Sequence, residues 1–445
     1  CQVCAPRPTT NVGRSRRHAP ECGRVRREAF EEDTLQQSDE RVVALDLGSA
    51  KVAAVVMGED EKDKPLVLSL AFAPSEGVER GVITDLPSAA DAVDRLLGKI
   101  ERHIGAPVKN VWLNVAGAHL ESVLSPGMHN LSPPRRPIRP QDVHAVINHS
   151  RQIPMDPDRE QILSAPRGFK VDGEGWIDQP IGLSGSRLEV QTHIVTGLRR
   201  SVDDLEHAVQ KGGRSLAGLV PSGLASGLAT LSSQARDLGA IVIDIGKGVT
   251  TVAVFIDGGF VHHGVIKIGG DHFTGDVAYL LKTSHDEAER LKVDHGTASI
   301  TDFDPTELVN VRQVESDYAR PMKRKVLAEI LNARAEEWVR HVAREIQVAD
   351  ETERTPQLVV LTGGGSLLPG LEEVLVEKLE HKTFRLGQPK VAGRFAKQVA
   401  SPMLSTVVGV ARYARDSGST EIAPVAGISS WKERISTLTA WFGRR

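Results

Sequence analysis

Apolar positions begin to recur with a regular period at residue 41. In RVVALDLGSAKVAAVVMGED, residues 41–60, two β-branched runs flank Asp46-Leu47-Gly48-Ser49, which predicts a strand, a tight turn and a second strand. The period changes at 87–104, where Ala90, Val93, Leu96, Leu97, Ile100 and Ile104 follow helical spacing, and changes back at NVWLNVA, 110–116, which reads as a strand. From about 117 to 198 the pattern fragments. SPPRRPIRPQD, IPMDPD and DGEGWIDQPIG are dense in Pro and Gly and separate short strands such as LEVQTHIVTG, so the stretch reads as a small inserted α+β domain. A helix is expected at 201–213, with Ser201 as N-cap and Gly212 near its end.

The opening pattern then returns. VALDLGSAKVAAVV and IVIDIGKGVTTVAVF share one grammar: an apolar strand delivers Asp-x-Gly into a turn, polar residues follow, and a second apolar strand leaves. Two such copies predict two related lobes facing each other. Helical patterns cover 273–294 and 320–348, and PQLVVLTGGGSLLPGLEEVL reads as a strand that ends in three glycines and opens a helix. A linker at 414–428 precedes SSWKERISTLTAWFGRR, residues 429–445. On a helical wheel Trp431, Ile435, Leu438 and Phe442 share one side, with Trp441 at its edge. Lys432, Glu433, Arg434, Ser436, Thr437 and Thr439 take the other side, and Ser430 with Glu433 forms a capping box. Arg444 and Arg445 offset the helix dipole and can meet anionic lipid. The segment is too short to span a bilayer and suits lying in its interface.

Composition narrows the class. A chain of 445 residues, 40% apolar and 25% charged, is expected to divide into several domains with a sizeable core. Its net charge of -3 gives no whole-molecule bias toward nucleic acid or membrane. No apolar run approaches a membrane span or a signal peptide, so the body is expected in the cytoplasm. Cys1, Cys4, His18 and Cys22 have zinc-ligand arithmetic, but residues 1–40 are Arg-rich without hydrophobic periodicity. They read better as a disordered extension, and the opening Cys in place of Met suggests a fragment or a misplaced start.

The two hairpins carry the candidate chemistry. Glycines let backbone approach a phosphate without a Cβ in the way, and hydroxyls and lysine supply donors to its oxygens. The first loop offers Asp46, Gly48, Ser49, Ala50 and Lys51; the second offers Asp244, Gly246, Lys247, Gly248, Thr250 and Thr251. Opposed loops of this kind would grip a triphosphate from both sides, with Asp46 and Asp244 holding a hydrated Mg2+ ion. Gly363, Gly364, Gly365 and Ser366 could lie flat against a base and ribose.

This trio resembles the phosphate-1, phosphate-2 and adenosine motifs of the actin, sugar kinase and Hsp70 ATPase superfamily. The likeness implies a ribose contact from a lobe 2 helix, and AERLK at 288–292 would supply it through Glu289 and Lys292. Within the superfamily the chain resembles the bacterial cell-division FtsA family. The likeness rests on FKVDGEGWIDQPIGLSGSRLEVQTHIVTG (169–197), GVITDL (81–86), GGDHFTGDVAYLL (269–281) and SHDEAERLKVDHG (284–296), and runs from about 41 to 445. It implies an α/β, actin-like two-lobed ATPase fold with an inserted α+β subdomain and a C-terminal amphipathic helix. The implied division is lobe 1 core at 41–116, 199–239 and 399–413, and the insert at 117–198. Lobe 2 core takes 240–261 and 338–398, with its smaller subdomain at 262–337.

The family likeness implies binding of ATP and Mg2+, self-association into filaments, and contacts with later division proteins. It also implies tethering of FtsZ, through that protein's C-terminal tail, to the cytoplasmic face of the inner membrane at the septum. RSLAGLVPSGLASGLATLSS, 214–233, contains no Asp, Glu, Asn or Gln to orient an attacking water. Lys247 stands where the superfamily usually has Gly, and Thr251 where it usually has Asp. ATP binding with slow or negligible turnover is therefore expected. The alternatives are a small-molecule kinase of the same superfamily and a PilM-like pilus-assembly ATPase.

Overall fold

The computed structural model describes residues 41–417 apart from 61–63, 302–303, 305, 315–317, 351–355 and 380–381. The candidate zinc ligands Cys1, Cys4, His18 and Cys22, and the helix proposed at 429–445, lie outside the described residues.

Chain order begins with an antiparallel meander of β1 (Val42–Leu47), β2 (Lys51–Glu59) and β3 (Pro65–Pro74). Helix α1 (Leu86–Ile104) is capped by the Asp85 side chain on Ser88 N and ended by Gly105 in a left-handed conformation. It leads to β4 (Asn110–Val115), parallel to β1 with Leu45 beside Leu113. The chain then leaves into the insert: β5 (Glu121–Asn130), α2 (Pro140–Ser150), β6 (Arg159–Val171) and β7 (Arg187–Leu198). These strands pair in the order β5–β7–β6, and α2 covers a small core around Ile138, Val146, Leu188 and Val190. The chain returns through α3 (Arg199–Gln210) to β8 (Ser215–Pro221), completing a sheet ordered β8–β4–β1–β2–β3.

Helices α4 (Ser222–Thr230) and α5 (Ser233–Leu238) lead into lobe 2. A second meander, β9 (Ala240–Ile245), β10 (Thr250–Ile256) and β11 (Gly259–Ile266), is followed by α6 (Gly270–Leu281) and α7 (His285–His295). The hairpin of β12 (Leu308–Arg312) and β13 (Ala319–Lys323) precedes the long α8 (Arg324–Asp350). Then come β14 (Leu358–Thr362), α9 (Leu371–Lys378), β15 (Thr383–Leu386) and α10 (Ser405–Ser417). The lobe 2 sheet is ordered β11–β10–β9–β14–β15, the same meander plus two parallel strands as in lobe 1.

Strand periodicity decides what each sheet buries. In β1, Val43, Leu45 and Leu47 face an outer core with α1, while Ala44 faces the inner core between the sheets. In β9, Ile241, Ile243 and Ile245 face an outer core built on Trp338 of α8, and Ala240 and Val242 face the same inner core. Each fully buried aliphatic side chain contributes about 1.5–3 kcal/mol, so one register satisfies both faces. Asp46 and Asp244 fall in phase with the inner positions. Helices α4 and α10 fill that inner layer.

Several local expectations give way to tertiary context. Ser201 does not cap α3, because the helix starts two residues earlier, directly off β7 at Arg199. The pattern at 273–294 is two helices, broken where Lys282 turns left-handed (φ 53) and Ser284 caps α7. Residues 320–323 pair as part of β13 before α8 begins. The insert carries long strands, 13 residues in β6 and 12 in β7, where short ones were expected. The lobe 2 sheet holds the chain to Ile266, past the expected boundary at 261, and α10 continues to Ser417 into the expected linker.

Candidate functional site

The two Asp-x-Gly turns close identically. Gly48 N donates to Lys51 O at 3.1 Å, and Gly246 N donates to Val249 O at 3.0 Å. These glycine N–H groups are thus spent inside their own turns. A Cβ at Gly48 would lie 3.1 Å from Lys51 O, and one at Gly246 3.0 Å from Val249 O, so both turns are tight. At Gly248 a Cβ would fall 2.6 Å from Arg80 Cα, which shows the second loop pressed against the Arg80 turn of lobe 1.

In the first loop, Lys51 Nζ lies 3.7 Å from Asp46 Oδ2. Ser49 Oγ accepts from Gly81 N at 3.1 Å, and Ala50 O accepts from Ser75 N at 3.2 Å. Burial pushes the Asp46 carboxyl above its ordinary value; Lys51 opposes this and the charge of Asp244 adds to it. The two aspartates therefore sit within electrostatic reach of each other. Asn114 supports the loop from β4: its Oδ1 accepts from Leu47 N at 2.9 Å and its Nδ2 donates to Ser222 Oγ at 3.3 Å.

Asp244 is buried between lobes. Ser226 Oγ of α4 donates to its Oδ2, as does Thr406 Oγ1 of α10 at 3.0 Å. Burial raises the Asp244 carboxyl, while those two hydroxyls and Lys51 pull it back. The neighbouring threonines diverge. Thr250 is wholly buried, donates to Ile268 O at 2.7 Å and accepts from Trp338 Nε1 at 3.0 Å, so its hydroxyl is committed to the lobe 2 interior. Thr251, opposite Asp244 across the ladder, turns toward α4, where a Cβ at Gly223 would meet its Cγ2 at 2.9 Å. The Lys247 side chain is half exposed, with Nζ 4.0 Å from Asp271 Oδ1.

Glu289 and Lys292 do come together. Lys292 Nζ donates to Glu289 Oε2 at 2.7 Å, Thr274 Oγ1 at 2.7 Å and Gly270 O at 3.0 Å. Gly270 N in turn donates to Gly246 O at 2.9 Å, which links the pair to the second loop. Burial pulls the Glu289 carboxyl upward, yet hydrogen bonds from Lys292 and Thr274 leave it below its ordinary value.

The third motif differs locally from expectation. Its glycines open a 3₁₀ turn over Gly364–Leu367, and α9 starts only at Leu371. Gly363 has φ +82, and a Cβ there would lie 2.3 Å from Asp244 Oδ1. Ser366 Oγ donates to Gly363 O at 2.7 Å, and Gly363 N donates to Pro402 O at 3.2 Å. The glycine loop and both aspartates therefore line one place. Ser226, Thr406, Asn114, Thr274 and Arg80 also belong to it and were not read from the sequence. The one hint was the small-residue run PSGLASGLAT, which lets α4 pack closely on all sides.

The chain is similar to known proteins over most of its length. The sequence model "Cell division protein FtsA" matches residues 241–409, and "SHS2 domain inserted in FTSA" matches 117–196. The FtsA of Pseudomonas aeruginosa is 30% identical over 378 residues, covering 85% of this chain and 90% of the relative. That of Borreliella burgdorferi is 30% identical over 404 residues, covering 90% and 98%. The chain belongs to the FtsA family of cell-division proteins.

Solved structures show the chain's actin-like fold. A PilM–PilN type IV pilus biogenesis complex aligns with a TM-score of 0.60 at 16% identity, covering 84% of this chain and 98% of that one. MreB5 of Spiroplasma citri, a structure bound to ADP, aligns at 0.50 and 14% identity, covering 84% and 95%. The insert is the three-stranded β5–β7–β6 unit with α2. Among the described residues of this FtsA-family chain, no helix is long and apolar enough to cross a membrane.

Proposed function

We propose that the chain binds ATP with Mg2+ between its lobes, polymerises at the inner membrane, and tethers FtsZ there during septum assembly. The observation that carries the nucleotide part is the convergence of Asp46, Lys51, Asp244 and the Gly363 loop on one place. The donor chemistry fits a triphosphate: Lys51 and Ser49 from lobe 1, Lys247 from lobe 2, and a glycine loop that tolerates no Cβ beside Asp244. Asp46 and Asp244 would hold the Mg2+ cation through water. When bound, that cation screens the phosphate charge. Glu289 and Lys292, fixed over α6, would meet the ribose, with Gly363, Gly364, Gly365 and Ser366 beside the base.

Turnover should be slow, because β8 and α4 offer the cleft no carboxylate or amide to orient water. A measured rate above about 1 s⁻¹ would contradict this. ATP then acts as a ligand that closes the cleft and favours polymer contacts. The amphipathic pattern of residues 429–445 supports an interfacial anchor. One such helix binds reversibly, and polymerisation would make attachment firm through multivalency.

Flotation of anionic liposomes with fluorescent FtsZ and ATP tests the tether, using the full chain and a version ending at Gly427. The reading requires FtsZ to float with the full chain only. Flotation of the chain without FtsZ removes the partner, and failure of both forms to float removes the membrane anchor.

A further inference from the structure

Both hydrogen bonds on Asp244 Oδ2 come from lobe 1 helices, not from Asp244's own lobe. Ser226 Oγ reaches it from the middle of α4, Thr406 Oγ1 reaches it from the first turn of α10, and the two hydroxyls lie 3.2 Å apart. Ser226 is completely buried and Asp244 is 9% exposed, so water cannot replace these donors without the layer opening. The other oxygen, Oδ1, faces the Gly363 turn.

The helices bearing the hydroxyls cannot slide independently. A Cβ at Gly409 of α10 would fall 1.7 Å from Ala225 O of α4, so the two backbones are in direct contact. Ser405 Oγ, next to Thr406, lies 2.7 Å from Thr362 Oγ1 at the end of β14. The far end of α4 is held as well. Arg412 Nη1 donates to Leu228 O at 2.6 Å, Arg385 Nη2 to Thr230 O at 2.8 Å, and Arg236 Nη1 to Leu231 O at 3.4 Å. Three guanidiniums thus satisfy the orphan carbonyls and oppose the dipole at that end.

We propose that Ser226 and Thr406 are positioning residues that seat the Asp244 carboxylate from lobe 1, making its placement in the cleft depend on how the two lobes sit. The inference rests on the nucleotide reading given above. A buried carboxylate with two donors on one oxygen has a single favoured orientation, which leaves Oδ1 for the cleft. Moving α4 and α10 away from β9 would strip both donors at once. Cleft geometry and carboxylate orientation are then one two-state event, which a ligand contacting Asp244 can bias.

The test measures Kd for a fluorescent ATP analogue, with Mg2+ and with EDTA, in wild type, Ser226→Ala, Thr406→Val and Thr406→Ser. Seating of Asp244 toward the cation predicts that Ser226→Ala and Thr406→Val weaken binding about tenfold in Mg2+ and little in EDTA. Thr406→Ser, which keeps the hydroxyl, should stay within about twofold of wild type. Equal losses in both buffers, or no rescue by serine, would mean general damage to the layer and overturn the proposal. Hydrogen exchange of the nucleotide-free protein supplies an independent reading: Asp244 to Gly248 should exchange faster in Ser226→Ala and Thr406→Val. Unchanged exchange there overturns the seating. If wild type binds no nucleotide in either buffer while exchange rises in both variants, the nucleotide reading falls and the interlobe seating stands.

Discussion

Asp46 and Asp244 occupy equivalent places in two sheets of one topology, yet they are held in opposite ways. Asp46 is countered by Lys51 from its own hairpin, 3.7 Å away. Asp244 has no lysine in its hairpin's corresponding place; it draws Ser226 and Thr406 from helices packed between the sheets. The first loop finds its counter-charge within its own hairpin, braced by Asn114 of β4 and by Gly81 N from the same lobe. The second is complete only when the lobes are assembled. Duplicated folds can therefore diverge in what each copy requires of the other, while keeping strand order, turn closure and the inward phase of the aspartate.

The largest break in this comparison should come from separating α4 and α10. Gly409→Val places side chain where Ala225 O already lies. It should lower the unfolding free energy by about 3 kcal/mol, seen as a lower denaturant midpoint. It should also free the Asp244 loop to hydrogen exchange more than the Asp46 loop.

A second contact between lobes responds to pH. His193 of the insert and His263 of β11 are buried with all four ring nitrogens unpartnered, and Phe260 lies against both rings. Burial holds both rings below their ordinary value, His263 down to about 3; each is further depressed by His262, and His193 also by His263. Stability gained by keeping them neutral is present above the unfolded value, near 6.5, and is lost as pH falls below it. For His263 alone the fold should be about 2 kcal/mol less stable at pH 5 than at pH 7. A His263→Leu variant should show a flatter stability profile over that interval in denaturant titrations.

Within the first loop, Lys51→Met should cost about 1–2 kcal/mol by leaving the Asp46 carboxylate without its counter-charge. Lys51 also acts on the Asp244 carboxyl, so exchange at the Asp244 loop should rise less than at the Asp46 loop, and an equal rise in both loops would contradict the contrast. The smallest effect is expected at Arg290, whose pair with Glu287 on α7 is local like Asp46–Lys51 but solvent-exposed. Arg290→Ala should change stability by less than about 0.5 kcal/mol in thermal melts, since water screens the interaction.

How much was legible varies with the range of the forces involved. The hairpins at 42–59 and 240–256, α1 and the insert's position followed from periodicity and turn residues, which act over a few positions. Ser201 was misread as a cap because the chain enters α3 straight from β7. The break at Lys282 and the strand at 319–323 were hidden because a helical pattern continues across them while the tertiary fold does not. At the site, Asp46, Asp244 and the glycine loop stood out by residue type and spacing, while the Glu289–Lys292 pair was reached through the family likeness. The inward commitment of Thr250 did not stand out, since its partner Trp338 lies 88 positions away.

From sequence alone, strand alternation determined that Asp46 and Asp244 point to the same side as Ala44 and Val242, because side chains in a strand alternate whatever surrounds them. Only the tertiary structure decided what meets them there. Ser226 and Thr406 stand 18 and 162 positions from Asp244, and nothing local marks them as its partners. Their hydroxyls reach it because α4 and α10 cross at Gly409 and Ala225 between the two sheets, a placement set by packing rather than by any neighbouring residue.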